Sequence, residues 1–246
     1  MDKWNNEIIV FETIDSTNDR LKRYLSENSN YKIVIAKEQT KGRGQKDNKF
    51  ISPPGGLYIS IAIKPKYDIE KLKYLSIRTA LEIKNILDKL YNKNIKLKWL
   101  NDIILDEKKL GGILIENIFS KDNKLEYSVI GIGLNLLNNI KLNEELNDNC
   151  ISLSLTNYEN ESKKIINEII PAIKSLENEF SISDVINKYN ECLYLKNTDI
   201  SLISDKDFFS GKLLSINEDL SLNLLLNEEK RSFSYNLYKI NNPYKK

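Results

Sequence analysis

The chain has 246 residues, of which 41% are hydrophobic, and its 37 basic residues nearly balance its 35 acidic ones. These values predict a folded protein with one large domain or a main domain and a small appendage, and they give no overall electrostatic argument for binding nucleic acid or a membrane surface. The chain contains no histidine, which excludes Ser-His-Asp hydrolysis, Cys-His proteolysis and zinc sites of the H-E-x-x-H type.

The first 91 residues are predicted to form three strands and two helices. Asp15 or Ser16 can act as the N-cap of a short amphipathic helix within 15–27. The apolar stripe of Ile83, Ile86 and Leu87 predicts a long helix over 69–91. Runs of apolar residues predict the strands, the last of them central in its sheet, at 7–14, 32–39 and 56–65.

The rest of the chain is predicted to continue the sheet and then change character. Strands are predicted at 95–99, 102–106, 109–117 and 125–136. Helices follow at 160–180, which Pro171 should kink or split, and at 183–195. After about residue 196 the helical period stops, and alternation predicts strands at 220–226 and 231–240. The chain therefore reads as α+β, with a mixed sheet and flanking helices in 1–195 and a small β-barrel-like domain in 196–246.

Cysteine usage and the start of the chain predict a cytoplasmic location. Cys150 and Cys192 lack metal-ligand spacing and are expected to be reduced thiols. The sequence has no run of roughly 18 apolar residues, so no membrane helix is expected. The first residues lack a basic segment followed by an apolar one, so no secretory signal is expected.

Glycines are concentrated in a few places. Eight of the nine form four close pairs, at 42 and 44, 55 and 56, 111 and 112, and 131 and 133. Glycine has no Cβ and lets a backbone approach another group closely. This distribution raises the question of what approaches the backbone at these strands.

The segment KGRG, residues 41–44, admits two interpretations. It can be a solvated basic turn, or a loop whose N–H groups and Arg43 bind phosphate or carboxylate. It matches neither the Walker loop nor the dinucleotide fingerprint.

Lys109 stands just before Gly111 and Gly112 and is equally open to two readings. It can be a surface lysine beside a bulge, or a lysine aimed at an anion against a bared strand. Asn101 and Asp102 begin the preceding strand and could face the same cleft. Several glycine-bearing strands near cations suggest a sheet surface stripped of side chains, on which a flat or extended ligand lies.

Six segments, taken in order, are similar to the biotin–protein ligases, which adenylate biotin and pass it to a lysine of a carrier protein. They are DSTN (15–18), EQTKGRG (38–44), SPPGGLYIS (52–60), KWLND (98–102), KKLGGILIE (108–116) and GIGLN (131–135). The resemblance implies a class II synthetase-like biotin/lipoate ligase fold. Residues 211–226 resemble, more loosely, the small SH3-like C-terminal domain of that family.

The resemblance also implies site residues. Catalytic roles fall on Arg43, Lys109 and Asp102. The biotin-binding set is Ser16, Thr17, Asn18, Gln39, Gly42, Arg43, Gly44, Gln45, Lys109, Gly112 and Gly131. The adenylate-binding set is Arg43, Phe50, Asn101, Lys109 and Asn135. Gly133 would help form the floor of the pocket.

The implied substrates are biotin, ATP with Mg²⁺ on its phosphates, and a biotin carboxyl carrier protein domain. No metal site made by the protein is expected. Arg43 and Lys109 would gather two anions, the biotin carboxylate and the ATP phosphates. Asp102 could orient the acceptor amine or take its proton, or else make a structural bond to the loop or bind the intermediate. The 40–50 loop is predicted to be mobile without ligand and to order over the adenylate.

This chain departs from the commonest pattern of the family at five positions. That pattern has arginine at Gln45, glycine at Asp47, arginine at Asn48, tryptophan at Phe50 and proline at Leu100. The loop is therefore less cationic, which would weaken retention of the adenylate unless other cations compensate. Phe50 keeps an aromatic face that could cover adenine.

Three other functions compete with biotin ligation as interpretations of this sequence. Lipoate or octanoate ligation on the related fold is the alternative, although the RRxxGG segment and the histidine motif typical of that branch are missing. A DNA-binding regulator is not expected, because DSTN begins at residue 15 and leaves no room before it, which predicts the monofunctional form. A binding module without catalysis is disfavoured by Arg43 and Lys109. A homodimer through sheet edges is possible.

Overall fold

The computed structural model describes residues 7–45, 48–137 and 149–241. Seven strands form the main sheet in the order β1-β2-β3-β7-β6-β5-β4. β1 is parallel to β2, and every other neighbouring pair is antiparallel, so the predicted mixed sheet is confirmed. β3 lies inside the sheet as expected, but β7 occupies its middle position. The strands are β1 (Ile8–Ile14), β2 (Ile33–Gln39), β3 (Gly56–Ile63), β4 (Lys96–Lys98), β5 (Asp102–Leu105), β6 (Lys108–Phe119) and β7 (Leu125–Asn135).

Within the described residues, four α-helices flank the sheet, namely α1 (Thr17–Ser26), α2 (Leu75–Tyr91), α3 (Tyr158–Ser175) and α4 (Ile182–Glu191). Ser16, not Asp15, is the N-cap of α1, and its hydroxyl accepts from the Asp19 N–H. The long helix predicted over 69–91 is α-helical only from Leu75, and Ile69–Tyr74 forms a 3-10 helix. In this first part Ile69 is 52% exposed, and the buried residues Leu72 and Tyr74 are two positions apart, which is not the spacing of the buried stripe of α2. Among the described residues, no helix is long and apolar enough to cross a membrane.

The second pair of helices differs from the prediction at its ends. α3 continues through Pro171 without a split, because Ile169, Ile170 and Ile173 remain buried on both sides of the exposed proline. It ends at Ser175 and not at residue 180. α4 ends at Glu191, because the next residues bond to β4: the Leu97 N–H donates to Cys192 O at 2.9 Å.

The main core lies on one face of the sheet. Leu57, Ile59, Ile61 and Ile63 of β3 are all buried and pack with residues of α2 and α3. A second, smaller cluster lies under α1 on the opposite face, and it includes Leu21 and Val129. Because α1 covers only one end of that face, the remainder of the face is left for a cavity.

The C-terminal part forms a separate five-stranded antiparallel sheet, with the order β11-β10-β9-β8-β12. The sequence prediction missed β8 and β9, and it was wrong in joining 231–240, because β11 ends at Phe233 and a turn leads to β12. The apolar side of this sheet packs into the main core. The strands are β8 (Asp199–Ile203), β9 (Phe208–Ile216), β10 (Leu222–Leu226), β11 (Glu229–Phe233) and β12 (Lys239–Asn241).

Two side chains of the first part bond to the turn that precedes β10. The indole Nε1–H of Trp99 donates to Leu220 O at 2.8 Å. The Tyr74 hydroxyl donates to Glu218 O at 2.5 Å. These bonds hold the C-terminal sheet at one end of the cavity.

Candidate functional site

The cavity lies on the face of the main sheet opposite the core. Residues paired across antiparallel strands project to the same face. The pairings Tyr58–Gly133, Gly133–Gly112 and Gly112–Asp102 therefore form one row across four strands. The next row contains Ser60, Gly131 and Leu114. The space above these rows has a volume of about 820 Å³.

The glycines of this face make room for side chains that come from other elements. A Cβ at Gly133 would lie 2.5 Å from Cε1 of Phe50, and one at Gly112 would lie 3.2 Å from Phe50 Cε2. A Cβ at Gly131 would lie 2.4 Å from Oδ1 of Asn18. In this structure the bared strands accept Phe50 and Asn18, and these two side chains become part of the cavity wall.

One end of the cavity is uncharged and polar. Gln39 Oε1 accepts from the Thr17 backbone N–H at 2.8 Å and from the Thr17 hydroxyl at 3.1 Å. Ser60 Oγ, which is fully buried, lies 2.8 Å from Thr17 Oγ1 and 2.5 Å from Asn18 Oδ1. Gln39 also donates to Ser52 Oγ at 2.9 Å. This network orients the amides of Asn18 and Gln39 before any ligand arrives.

The other end of the cavity is ionic. Lys109 Nζ lies 2.7 Å from Asp102 Oδ1, and Lys98 Nζ pairs with Asp102 Oδ2. Burial by itself would raise the pKa of the Asp102 carboxyl, but Lys109 and Lys98 outweigh burial and lower it to about 2. Burial also lowers the pKa of the Lys98 ammonium, although Asp102 opposes that shift. Asp102 is therefore ionised at neutral pH and is a weak base.

Arg43 lines the same cavity but contacts acidic residues in this structure. Its Nη1 lies 2.7 Å from Asp19 Oδ1 and 3.1 Å from Glu116 Oε1. The charged residues that line the cavity nevertheless favour an anionic ligand, because among the described residues six are basic and one, Asp102, is acidic. The basic ones are Arg43, Lys49, Lys73, Lys98, Lys109 and Lys239.

The structure brings together all but two of the residues assigned to the site from the sequence. Gly42 lines an adjoining space of about 700 Å³. Asn135 does not line the cavity, because its Nδ2 donates to Ile151 O at 3.0 Å. The cavity is lined by Ser16, Thr17, Asn18, Gln39, Arg43, Gly44, Gln45, Phe50, Asn101, Asp102, Lys109, Gly112 and Gly131.

The five departures from the family pattern are placed as follows. Gln45, Asn48, Phe50 and Leu100 line the cavity. The peptide bond between Trp99 and Leu100 is cis. Asp47 lies outside the described residues. Two backbone hydrogen bonds link the described residues on either side of 46 and 47 in the 40–50 loop. The Gly44 N–H donates to Asn48 O at 2.7 Å, and the Phe50 N–H donates to Gly42 O at 2.9 Å.

Sequence reasoning missed several residues of the site. Lys98 stands in the KWLND segment. Because residues 99–101 form a turn, the alternation of side chains along a strand could not have predicted that Lys98 pairs with Asp102. Ser60 alternates with the buried isoleucines of β3, which was a usable signal. Glu116 ends the KKLGGILIE segment but was given no role. No local pattern indicated the part of the wall that comes from the C-terminal sheet, which is Tyr235, Asn236, Tyr238, Lys239 and Ile240.

A metal site made by the chain is not found among the described residues, where no three His, Cys, Asp or Glu side chains are grouped to hold an ion.

Comparison with known proteins gives consistent family matches. The profile of the biotin/lipoate A/B protein ligase family matches residues 10–135, which is half of the chain. The chain is 33% identical over 130 residues to the bifunctional ligase/repressor BirA of Escherichia coli, covering 52% of this chain and 40% of that protein. It is 31% identical over 178 residues to biotin–protein ligase 2 of Arabidopsis thaliana, covering 69% of this chain and 51% of that protein. The aligned part thus spans about half or less of these relatives.

Among solved structures, the chain is similar to the biotin protein ligase from Aquifex aeolicus in complex with biotin and ATP. The two are 28% identical, with a TM-score of 0.76, and the match covers 96% of this chain and 98% of that one. The similarity extends over both sheets, so it includes the C-terminal part that the family profile does not reach.

Proposed function

The chain belongs to the biotin/lipoate A/B protein ligase family, and we propose that it is a biotin–protein ligase that forms biotinyl-5'-AMP from biotin and ATP and transfers biotin to a carrier lysine. The observation that carries the proposal is the cavity itself, which has a preorganised polar end and a cationic end above one glycine-bared face. The similarity of the chain to a biotin protein ligase solved with biotin and ATP supports both substrates.

In the first step, a carboxylate oxygen of biotin attacks the α-phosphorus of ATP, and the bond to the bridging oxygen breaks to release pyrophosphate. Both reactants are anionic, so fixed positive charge is needed where they meet. Lys109 and Arg43 are assigned to this role, and Mg²⁺ enters with ATP as part of the substrate. The 40–50 loop of this chain carries less positive charge than the family pattern has. Lys49 and Lys73, which also line the cavity, add positive charge to it.

The polar end is assigned to the neutral head of biotin. Thr17, Asn18, Gln39 and Ser60 offer amide and hydroxyl groups whose orientations are already set by one another. A polar network that is fixed before binding adds little ordering cost when the ligand arrives. Gly112 and Gly131 leave space beneath the ligand, and Phe50 is assigned to its apolar and aromatic contacts.

In the second step, the neutral amine of the carrier lysine attacks the carbonyl carbon of the mixed anhydride, the bond from that carbon to the phosphate oxygen breaks, and AMP leaves, while the amine proton passes to the departing phosphate or to water. The low pKa of Asp102 makes this carboxylate a poor proton acceptor. We therefore assign Asp102 to holding Lys109 and Lys98, and to accepting a hydrogen bond from the incoming amine. With this assignment Asp102 does not take the proton of the acceptor amine, which was one of the roles that the sequence left open.

The remaining assignments complete the proposal. Residues 1–195 form the catalytic domain and 196–246 a small SH3-like β domain, which the five-stranded C-terminal sheet supports. The acceptor is a biotin carboxyl carrier protein domain. The cytoplasmic location stays a prediction.

The test is exchange of labelled pyrophosphate into ATP by the purified chain with Mg²⁺. Exchange that depends on added biotin, and not on lipoate or octanoate, is expected. Exchange that responds to lipoate would replace the proposal with lipoate ligation, and no exchange with any of these acids would refute it. Incubation with biotin, Mg-ATP and a carrier domain then tests transfer, read as a mass increase on one lysine.

A further inference from the structure

Glu116 does not line the cavity, but it contacts Lys22 and two side chains that do, Asn18 and Arg43. Its Oε2 accepts from Asn18 Nδ2 at 2.8 Å. Its Oε1 lies 2.8 Å from Lys22 Nζ and 3.1 Å from Arg43 Nη1. The Glu116 side chain is only 19% exposed, so these contacts are shielded from solvent more than ordinary surface ion pairs are.

Asp19 completes the group. Its Oδ1 lies 2.7 Å from the same Nη1 atom of Arg43 and 2.9 Å from Lys22 Nζ. The charges of Asp19, Glu116, Lys22 and Arg43 therefore cancel. Lys22 offsets one of the two carboxylates, so the residues that hold Arg43 carry a single net negative charge, which the charge of Arg43 balances.

The geometry leaves part of Arg43 available. A guanidinium has five N–H donors on three nitrogens. Among the described residues, both carboxylates contact only Nη1, so Nη2 and Nε are not used by them. An arginine held by one nitrogen keeps a defined direction and can still present its other two to a carboxylate or a phosphate.

We infer that Glu116, with Asp19, is a positioning residue that anchors Arg43 by Nη1 and aims its remaining donors into the cavity. This inference rests on the proposed function for its catalytic meaning, but the anchor itself exists without ligand. Arg43 stands in the 40–50 loop between Gly42 and Gly44, which have no side chains to hold it. The anchor therefore also fixes the loop to α1 and β6.

The first experiment measures the loop in the ligand-free protein. Glu116→Gln removes the charge but keeps an oxygen that can accept from Asn18. We expect the amides of Gly44 and Phe50 to exchange hydrogen about tenfold faster in Glu116→Gln, because charge-assisted bonds to Arg43 are weakened. Glu126→Gln is the matched control, since Glu126 is exposed on β7 away from the cavity. Unchanged exchange at Gly44 would overturn the inference.

A double-mutant cycle tests whether Glu116 acts through Arg43. In an Arg43→Ala background, Glu116→Gln is expected to change Gly44 exchange no further. If Glu116→Gln has an equal effect in both backgrounds, Glu116 acts through Asn18 alone, and the inference that it anchors Arg43 is wrong. Should Glu116→Gln fail to fold, Asp19→Asn removes the other half of the anchor at a 37% exposed side chain and is expected to give the same pattern.

Kinetic measurements distinguish a Glu116 that positions Arg43 for the substrate from a Glu116 that competes with the substrate for Arg43. An anchor predicts that Glu116→Gln lowers kcat/KM for biotin in pyrophosphate exchange about tenfold. If Glu116 instead competed with substrate for Arg43, the variant would bind biotin more tightly, and that result would overturn the inference. A wild-type chain with no exchange activity would refute the proposed function, while the ligand-free measurement would still decide the anchor.

Discussion

The two faces of β3 and β7 have opposite chemistry although their residues alternate along the same strands. On the core face, Ile59, Ile61, Ile130 and Ile132 are buried and packed against helices. On the cavity face, serine, glycine and tyrosine alternate with them, and the space is filled by side chains that come from a helix and a loop. The core face supplies stability by burying apolar side chains, whereas the cavity face carries few apolar side chains and holds polar and charged groups in fixed directions.

This contrast predicts that substitutions on the two faces affect different measurements. Core-face changes should lower the free energy of unfolding and leave the kinetic constants of the folded protein unchanged. Cavity-face changes should alter the kinetic constants, and they should lower the free energy of unfolding only where a buried ion pair is lost, as at Asp102.

Lys109→Ala tests the cationic end of the cavity face. We expect biotin-dependent pyrophosphate exchange to fall by about 10²–10³-fold, as when a preorganised electrostatic group is removed from a transition state. Lys108→Ala is the matched control, because Lys108 is the adjacent residue on β6 and does not line the cavity. Activity of Lys109→Ala equal to that of the control would refute the role given to Lys109.

Ile59→Ala tests the core face. Ile59 is fully buried, and its truncation should lower the free energy of unfolding by about 3 kcal/mol, measured by urea denaturation. The KM for biotin should remain that of the wild type below the unfolding transition. Val10→Ala, at a side chain that is 52% exposed on β1, should change the stability by less than about 0.5 kcal/mol. A changed KM in Ile59→Ala would show that the two faces are coupled.

The Asp102 ion pairs predict a stability difference that depends on pH. The pKa of Asp102 in the folded protein, about 2, lies below its ordinary value of 3.8, so acid favours the unfolded state, which binds the proton more tightly. The contribution is complete above the ordinary pKa and is lost as the pH falls towards 2. Its full size is about 2 kcal/mol, of which about 1 kcal/mol is lost by pH 3.

The measurement is the difference in the free energy of unfolding between the wild type and Asp102→Asn, followed from pH 6 to pH 3. The difference should be constant down to about pH 5 and then shrink. A difference that stays constant to pH 3 would mean that Lys98 and Lys109 do not lower the pKa of Asp102.

Gly131→Ala tests how closely the cavity face fits. The new Cβ would lie 2.4 Å from Asn18 Oδ1, so the Asn18 amide must shift away from Ser60. We expect KM for biotin to rise about tenfold, the cost of roughly one lost hydrogen bond. Ile130→Val, on the adjacent residue and the opposite face, should lower stability by about 1 kcal/mol and leave KM unchanged. An unchanged KM in Gly131→Ala would remove Asn18 from the binding site.

Much of the main sheet could be predicted from the sequence, because its strands carry long apolar runs bounded by polar turns. The start of α1 followed from the Ser16 N-cap, and the α2 stripe predicted that helix apart from its first turns. The C-terminal sheet was predicted poorly. β8 has only five residues, and most of the nine residues of β9 are exposed or half-buried, so neither strand carries the long apolar run that marks the central strands of the main sheet.

The residue pattern alone indicated most strands of the main sheet, the glycines that bare one region of it, and the basic residues that accompany those glycines. Local patterns suffice for these, because alternation and glycine content are properties of neighbouring residues. Tertiary packing places Phe50 and Asn18 in the space above Gly133 and Gly131. It also brings Glu116 into contact with Arg43, which is 73 positions away in the chain. Such contacts depend on how distant elements pack together, and no period or spacing within one segment records that arrangement.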